Sequence, residues 1–431
     1  MKREVEVKLQ EWKNKPASVR KPLILNGARQ VGKTYTLLKF GEEKFANTVY
    51  VNLERTPAAA GFFDKDLAPE RLLHYLGVFT GEKIIPGSTL IIFDEIQSSE
   101  RALTSLKYFS EELPQYHIAA AGSLLGVAIN REQFSFPVGK VETLTMYPLD
   151  FREYLLARGR DALLAAIEAS FHKMSPLPEP LHKAALELYH EYLVVGGMPA
   201  AVRAFLATGS FTDAAEIQAE ILEHYIADMA KYASASESVR IRACYNSIPA
   251  QLAKDNHKFQ YKLLRRGSHA SDYGSAIEWL LYAGAVLRSG RVAEASEPLS
   301  ASEEISAFKL YLGDVGLLTA KSGIQRKTVL TGEITPFAGA LTENYAAQQL
   351  TSRGYKLYYW ENKNKAMVDF VIQSEKGISA VTIKRSERSK SRSLSVFAQA
   401  CPEAELTRLS LKNFSKKKAV RKIPLYATFM L

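Results

Sequence analysis

Residues Gly27-Ala28-Arg29-Gln30-Val31-Gly32-Lys33-Thr34 join two glycines to a lysine and a hydroxyl across a four-residue spacer. The glycines let the backbone curl so that its N–H groups converge on the oxygens of an anion. Lys33 then suits the β and γ phosphates of a nucleoside triphosphate, and Thr34 suits Mg²⁺. A plain glycine-rich turn would need neither flanking element. Here the apolar run Leu23-Ile24-Leu25 precedes the loop, and a helical segment beginning at Tyr35 follows it, as phosphate binding at a helix N-terminus requires. The expected nucleotide contacts run from Gly27 to Tyr35.

A second constellation completes the chemistry. Leu90-Ile91-Ile92-Phe93 delivers Asp94 and Glu95 to the end of a buried strand, where two adjacent carboxylates need a cation or a reaction. Asp94 is expected to hold the Mg²⁺ shell, and Glu95 to orient or deprotonate the water that attacks the γ phosphate. The run His117-Ile118-Ala119-Ala120-Ala121 ends at Gly122-Ser123, so a further strand between the loop and Asp94 would present Ser123 to the γ phosphate. Ser123 equally suits a helix N-cap, and one serine can do both. Arg29, inside the loop, could touch phosphate or reach solvent; Arg101, Arg131 and Lys140 are the nearest basic candidates for an arginine-finger role, and the sequence does not choose among them.

The elements that must position these residues follow from pattern. Strands are expected over 23–26, 48–53, 89–93, 118–121 and 141–146, alternating with helical segments, which reads as a parallel sheet with crossover helices. The motifs fall at carboxyl ends of strands, where open α/β sheets bind ligands. From Asp150 to Tyr232 the pattern is helical, broken at Gly196-Gly197-Met198-Pro199. Between Val239 and Val292, helices lead through Tyr282-Ala283-Gly284 into a strand, the outline of a winged helix. Lys258, Lys262, Arg265 and Arg266 lie in and before its second helix, where they would suit DNA phosphates. The last section reads helix, three strands and helix.

Composition bounds the alternatives. At 431 residues, with 47% hydrophobic and 24% charged residues, the chain has the composition of an ordinary globular protein. Its length predicts two to four domains, at about 100 to 200 residues each. Cys244 and Cys401 stand far apart with no further ligand at metal spacing, which excludes a disulfide framework or zinc site and suits a reducing cytoplasm. The N-terminus lacks a signal-peptide core, and no apolar stretch approaches the roughly 20 residues of a membrane span. Of the net charge of +10, nearly all falls from Lys384 onward, where twelve Lys and Arg face three Glu. Such an end suits nucleic acid, an acidic partner or solubility alone. Glu95 favours water over an acceptor hydroxyl, against a small-molecule kinase, and no Asn-Lys-x-Asp guanine reader follows, against a GTPase.

The combination of GARQVGKT, FDEIQ at 93–97, AGS, FPVGK at 136–140, YPLDFREYL from Tyr147 and VGGMPA resembles a group of prokaryotic AAA-superfamily ATPases with a C-terminal domain of unknown function. GDVGLL at 313–318, LTENYAAQQL at 341–350 and YYWENKNKAMVDFVI at 358–372 extend the resemblance over nearly the whole chain. It implies ATP binding, a helical lid and a winged-helix-like middle, and leaves the cellular role open. The family usually has Arg where Lys140 stands. The C-terminal part is similar to the restriction-endonuclease-like fold. By that resemblance Asp369 and Lys384 match the metal-binding Asp and the Lys, and Glu343 matches an acidic residue of the preceding helix. The remaining Glu is replaced by Thr382, a poor ligand for a hard cation, so the domain reads as degenerate. Asp369 and Lys384 would then form a cross-strand ion pair.

The expected fold is therefore α/β: an AAA-type P-loop domain over 1–150, a helical lid over 151–234, a winged-helix-like domain over 235–330 and a small restriction-endonuclease-like α/β domain over 331–431. The expected function is Mg²⁺-dependent ATP hydrolysis driving a conformational switch on an unknown protein partner or DNA, with no membrane. The alternative is a nucleic-acid-binding ATPase or ATP-regulated nuclease. Oligomeric state stays open.

Overall fold

A computed structural model describes residues 1–123, 136–333, 335–362, 366–384 and 393–431. The chain divides into two compact units, Lys2–Tyr147 with Tyr282–Gly284, and Pro148–Leu281 with Ala285–Leu431. Among the described residues, no helix is long and apolar enough to cross a membrane.

The N-terminal unit is built on strands β1 (Leu23–Asn26), β2 (Asn47–Asn52), β3 (Thr89–Asp94), β4 (His117–Ala121) and β5 (Glu142–Thr145). Their order is β2-β3-β4-β1-β5, with every pairing parallel. All residues of β3 and β4 are buried, which is why these strands read as unbroken apolar runs, whereas edge strand β5 keeps none of its residues buried. Helices α1 (Val5–Asn14), α2 (Lys33–Lys44), α3 (Pro57–Ala60), α4 (Pro69–Thr80) and α5 (Glu100–Glu112) complete the unit. Leu72 and Leu76 of α4 and Leu103, Leu106 and Phe109 of α5 pack with Val49, Val51, Ile91 and Phe93 in one core. Each such side chain, fully buried, stabilises the fold by about 1.5–3 kcal/mol. The sheet order sets the carboxyl ends of β1, β4 and β3 side by side, and so brings three separate motifs to one edge.

His117, at the start of β4, is buried at the other end of that strand. Its ring meets Trp12 of α1 edge-on at 5.6 Å and Phe45 at 5.0 Å, and its Nε2 lies 3.3 Å from the Lys13 carbonyl. Burial, then the nearby charge of Arg20, pushes its pKa down to about 4. The imidazole is neutral in the folded chain, while in the unfolded chain it protonates near 6.5. Between these values the unfolded state binds more protons, so stability falls as pH drops from about 6.5 towards 4. Thermal melts across that range should show this acid loss reduced in His117→Phe. An unchanged acid limb would place the sensitivity elsewhere.

The larger unit opens with helices Phe151–Ala157, Asp161–Lys173, Glu179–Val195, Pro199–Thr208, Phe211–Lys231, Ala235–Leu252 and Ala270–Tyr282. Eight strands follow: β6 (Val286–Val292), β7 (Glu303–Leu312), β8 (Leu357–Glu361), β9 (Met367–Ser374), β10 (Gly377–Ile383), β11 (Glu405–Ser410), β12 (Ser415–Lys417) and β13 (Val420–Pro424). They form one sheet in the order β12-β13-β11-β10-β9-β8-β6-β7. Strand β6 pairs antiparallel with β7 and parallel with β8, so the sheet runs without a break across residue 330.

Four sequence segments that carry no catalytic chemistry meet in this unit in one buried polar node. Asp314 accepts from the backbone N–H of Gly197 at 2.6 Å and of Leu317 at 3.0 Å, and from Gln348 Nε2 at 3.2 Å. Gln348 Nε2 also donates to the Tyr192 hydroxyl, and that hydroxyl donates to the Leu149 carbonyl at 2.5 Å. Asp150 caps the helix Phe151–Ala157 in a capping box with Glu153, and the Phe151 N–H reaches Gln349 Oε1 at 2.9 Å. The polar groups of the node are buried and partnered, which makes it sensitive to the loss of any member.

Candidate functional site

The loop between β1 and α2 is held in place by its own sequence. Gly27 has φ of +141°, and a Cβ there would lie 2.1 Å from the Met146 carbonyl oxygen, so only glycine fits against the end of β5. Gly32, with φ of +97°, turns the chain into α2 and accepts the N–H of Thr36 at 2.9 Å. Gln30 also has a left-handed backbone, with φ of +66°. Ala28 and Val31 are buried beneath the loop, Arg29 and Gln30 are partly exposed, and Tyr35 is largely exposed on the first turn of α2.

Lys33 folds back over this cradle, donating to the carbonyls of Gly27 at 2.9 Å and Ala28 at 2.8 Å. Burial pushes its pKa down to about 8, Glu95 and Asp94 hold it up, and Arg29 adds to the depression. The ammonium therefore sits within the field of both carboxylates. Thr34 Oγ1 donates to Asp94 Oδ2 at 3.0 Å. The same oxygen accepts from Tyr50 at 2.8 Å and Asn52 at 3.4 Å, and Oδ1 accepts the N–H of Glu95 at 3.1 Å. Burial, with Asp94 adding to it, raises the Tyr50 phenol to about 12, so it stays a donor.

Glu95 has φ of +50° and ψ of +46°, a left-handed conformation that is strained for a residue with a Cβ and recurs at functional sites. Its carboxylate accepts from Gln97 Nε2, and Ser123 Oγ lies 3.5 Å from the same Oε2. The structure thus gathers Lys33, Thr34, Asp94, Glu95 and Ser123 at one end of the sheet. Thr34 and Asp94 are hard oxygen donors in contact, a set that fits Mg²⁺.

Other expected roles meet a different outcome. Arg101 Nε is bound to the Phe63 carbonyl at 2.5 Å, and Lys140 is paired with Glu111 at 2.8 Å. Neither extends freely, and Arg131 lies outside the described residues. Four residues missed in the sequence also shape the site. Tyr50, Asn52 and Gln97 hold the carboxylates, and Arg3 ties the Val31 carbonyl at 3.0 Å to that of Tyr147 at 2.6 Å. Strand-end position next to Asp94 is a signal for Tyr50 and Asn52, but nothing local marks Arg3.

In the larger unit, Glu343 of the helix Ala338–Ser352 accepts from Lys309 Nζ at 2.7 Å and Tyr311 at 2.6 Å, and also pairs with His257. Burial raises this carboxyl, but Lys309 and His257 outweigh it and hold Glu343 well below the usual range. Asp369 accepts the N–H of Ile383 at 2.7 Å, and burial followed by the charge of Glu343 pushes its carboxyl up to about 6. Among the described residues, no group of three or more His, Cys, Asp or Glu is placed to hold a metal. The basic residues expected on a recognition helix lie elsewhere. Lys258 pairs with Glu361, Lys262 is in a short 3-10 turn, and Arg265 and Arg266 precede the helix Ala270–Tyr282, which has no Lys or Arg. Gly267, with φ of +79°, and Ser268 lie between these arginines and the helix.

A parallel sheet with a glycine cradle on its first strand, and Thr34 against Asp94 on a neighbouring one, defines a P-loop ATPase domain. Residues 19–155 match the family model of an AAA domain. Residues 186–328 and 338–427 match two domains of unknown function, DUF8612 and DUF4143. No curated protein matches the chain significantly. Among solved structures, a Walker-type ATPase of Pyrococcus abyssi is similar with a TM-score of 0.45 and 16% identity, over 74% of this chain and 95% of that one. The ORC2 protein of Aeropyrum pernix, in its ADPNP-ADP complexes, gives 0.37 and 14%, over 80% and 94%. AMPPCP-bound DnaA of Aquifex aeolicus gives 0.26 and 14%, over 64% and 86%.

Proposed function

We propose that the chain binds ATP with Mg²⁺ in the cytoplasm, hydrolyses it, and uses the cycle to switch its interaction with a macromolecular partner. The observation that carries this reading is Glu95, braced by Gln97 and Ser123, one residue beyond the Asp94 that touches Thr34. The backbone from Gly27 to Tyr35 cradles the phosphates, and Lys33 leaves its loop carbonyls for the β and γ oxygens. Thr34 and Asp94 hold Mg²⁺, which when bound neutralises charge on the phosphates. Glu95 takes a proton from the attacking water, and Ser123 contacts the γ phosphate. Residues 151–234 act as the lid, and the eight-stranded sheet that begins at Val286 acts as a docking domain without nuclease activity.

Nucleotide binding is tested separately from turnover. ATP with Mg²⁺ should raise the melting temperature of the wild type, GTP should raise it less, and Lys33→Ala and Thr34→Ala should abolish the ATP shift. A wild type that ATP does not stabilise, or variants that respond like the wild type, would remove the basis of the reading.

A further inference from the structure

Arg3 stands two residues before α1 and is buried, with 9% of its surface exposed. A guanidinium taken out of water persists only where it is hydrogen-bonded. Two of its bonds go to backbone carbonyls at the nucleotide end of the N-terminal sheet. Nη1 donates to Val31 at 3.0 Å, and Nη2 donates to Tyr147 at 2.6 Å. Val31 is the last spacer residue of the glycine loop, immediately before Gly32. A trans peptide unit is planar, so its C=O and N–H point in opposite directions. With the Val31 carbonyl held towards the buried guanidinium, the Gly32 N–H of the same unit is turned away from the interior.

The second grip reaches the other end of the same loop. Tyr147 follows Met146, whose N–H donates to the Asn26 carbonyl at 2.8 Å and whose own carbonyl oxygen would lie 2.1 Å from a Cβ at Gly27. One side chain therefore joins Val31, near the end of the cradle, to the segment packed against its start. Two carbonyls on separate segments suit the fork of an arginine better than the single nitrogen of a lysine. Arg3 is itself anchored through α1. Leu9 and Trp12 are buried, Trp12 Nε1 donates to the Lys21 carbonyl at 2.8 Å, and Glu6 pairs with Lys39 of α2 at 2.8 Å. The helix is thus fastened to both elements that flank the loop, the approach to β1 and α2.

We propose that Arg3 is a positioning residue for the phosphates of ATP, which sets the direction of the Gly32 N–H and holds the cradle in its binding shape before nucleotide arrives. The role rests on the reading of the cradle as an ATP site. Donors already in place bind an anion without the cost of ordering the loop at that moment. The hold also acts in reverse. Whatever the Arg3 contacts add to the affinity for ATP, bound ATP adds to the stability of those contacts, so occupancy of the cradle is transmitted to α1.

The test uses the full chain and Arg3→Met, which keeps much of the stem and removes the donors. The change should weaken binding of a fluorescent ATP analogue with Mg²⁺, and raise KM, by about 10- to 100-fold, the worth of one or two charge-assisted hydrogen bonds. Because Glu95 and Ser123 are untouched, kcat at saturating ATP should change little. Arg3→Lys, with one ammonium for two carbonyls, should fall between. Glu6→Gln, which breaks only a partly exposed pair of α1, should leave KM as in the wild type. Hydrogen exchange over residues 5–14 should be slowed by ATP with Mg²⁺ in the wild type and not in Arg3→Met. If Arg3→Met fails to fold, Arg3→Lys and the exchange of the wild type carry the test. Unchanged ATP affinity in the Arg3 variants, a loss confined to the melting temperature, an equal rise of KM in Glu6→Gln, or exchange of α1 indifferent to ATP in the wild type would each overturn the proposal. Each of these outcomes, with ATP still bound by the wild type, leaves the hydrolysis reading standing, whereas a wild type that does not bind ATP removes both.

Discussion

Glu95→Gln is expected to slow phosphate release by about 10²–10⁴-fold, the range supplied by a positioned general base, while the protein still binds ATP. Glutamine keeps the length and shape of Glu95 and can hydrogen-bond both Gln97 and Ser123. It cannot accept a proton from water. Binding persists because it rests on the glycine cradle, Lys33 and Thr34, which the change leaves in place. A secondary effect follows from charge. Glu95 is the strongest of the influences that hold the buried Lys33 ammonium up towards its ordinary value. Without it Lys33 deprotonates more readily, so ATP affinity of the variant should fall earlier than that of the wild type as pH rises. Single-turnover phosphate release with a parallel binding titration separates the effects. Equal turnover by variant and wild type would exclude Glu95 as the base.

The second large effect concerns stability. Gly197→Ala is expected to cost at least about 3 kcal/mol, because its Cβ would lie 2.0 Å from the Leu149 carbonyl oxygen, a backbone atom that cannot move alone. Leu149 also donates its N–H to the Gly197 carbonyl at 2.7 Å, and the Gly197 N–H is bound to Asp314. A shift large enough to admit the methyl group breaks both contacts. Gly196 is constrained for another reason: its φ of +71° and ψ of −166° belong to a region essentially reserved for glycine. Gly209 provides the contrast. It ends a helix with φ of +71° and faces open space, so Gly209→Ala should cost only the left-handed conformation, about 1–2 kcal/mol. Chemical denaturation of the full chain should rank the two accordingly. A Gly197→Ala cost no greater than that of Gly209→Ala would show that the node yields.

The N-terminal sheet was largely legible because its signals are local. The strand over 23–26 is found with those bounds, and the other four expected strands within about one residue of theirs. A buried parallel strand announces itself as an apolar run, and a phosphate cradle as a glycine spacing. The supports around Asp94 were less legible: Tyr50 and Asn52 reach it only because β2 lies beside β3, a pairing absent from either segment alone. Arg3 acts across the whole length of the unit. The mixed sheet was illegible for the same reason, since the parallel pairing of β6 with β8 joins segments more than sixty residues apart in sequence. Lys309 is another example. It looks like a surface charge within an ordinary strand, yet it is buried against Glu343, so its meaning depends on a helix that follows it by more than twenty residues.

The unbroken sheet across residue 330 governs how the molecule can be taken apart. A fragment beginning there would keep β8 but lose β6, exposing on Leu357–Glu361 the backbone donors and acceptors that now pair with Ser289–Val292. A bare edge of that kind, on a strand made of Leu, Tyr, Tyr, Trp and Glu, favours self-association. The same cut would leave Lys309 and Glu343 in different pieces, each a buried charge without its partner. Any dissection that aims to isolate the C-terminal activity must therefore start upstream of Val286 and carry the β6–β7 hairpin with it.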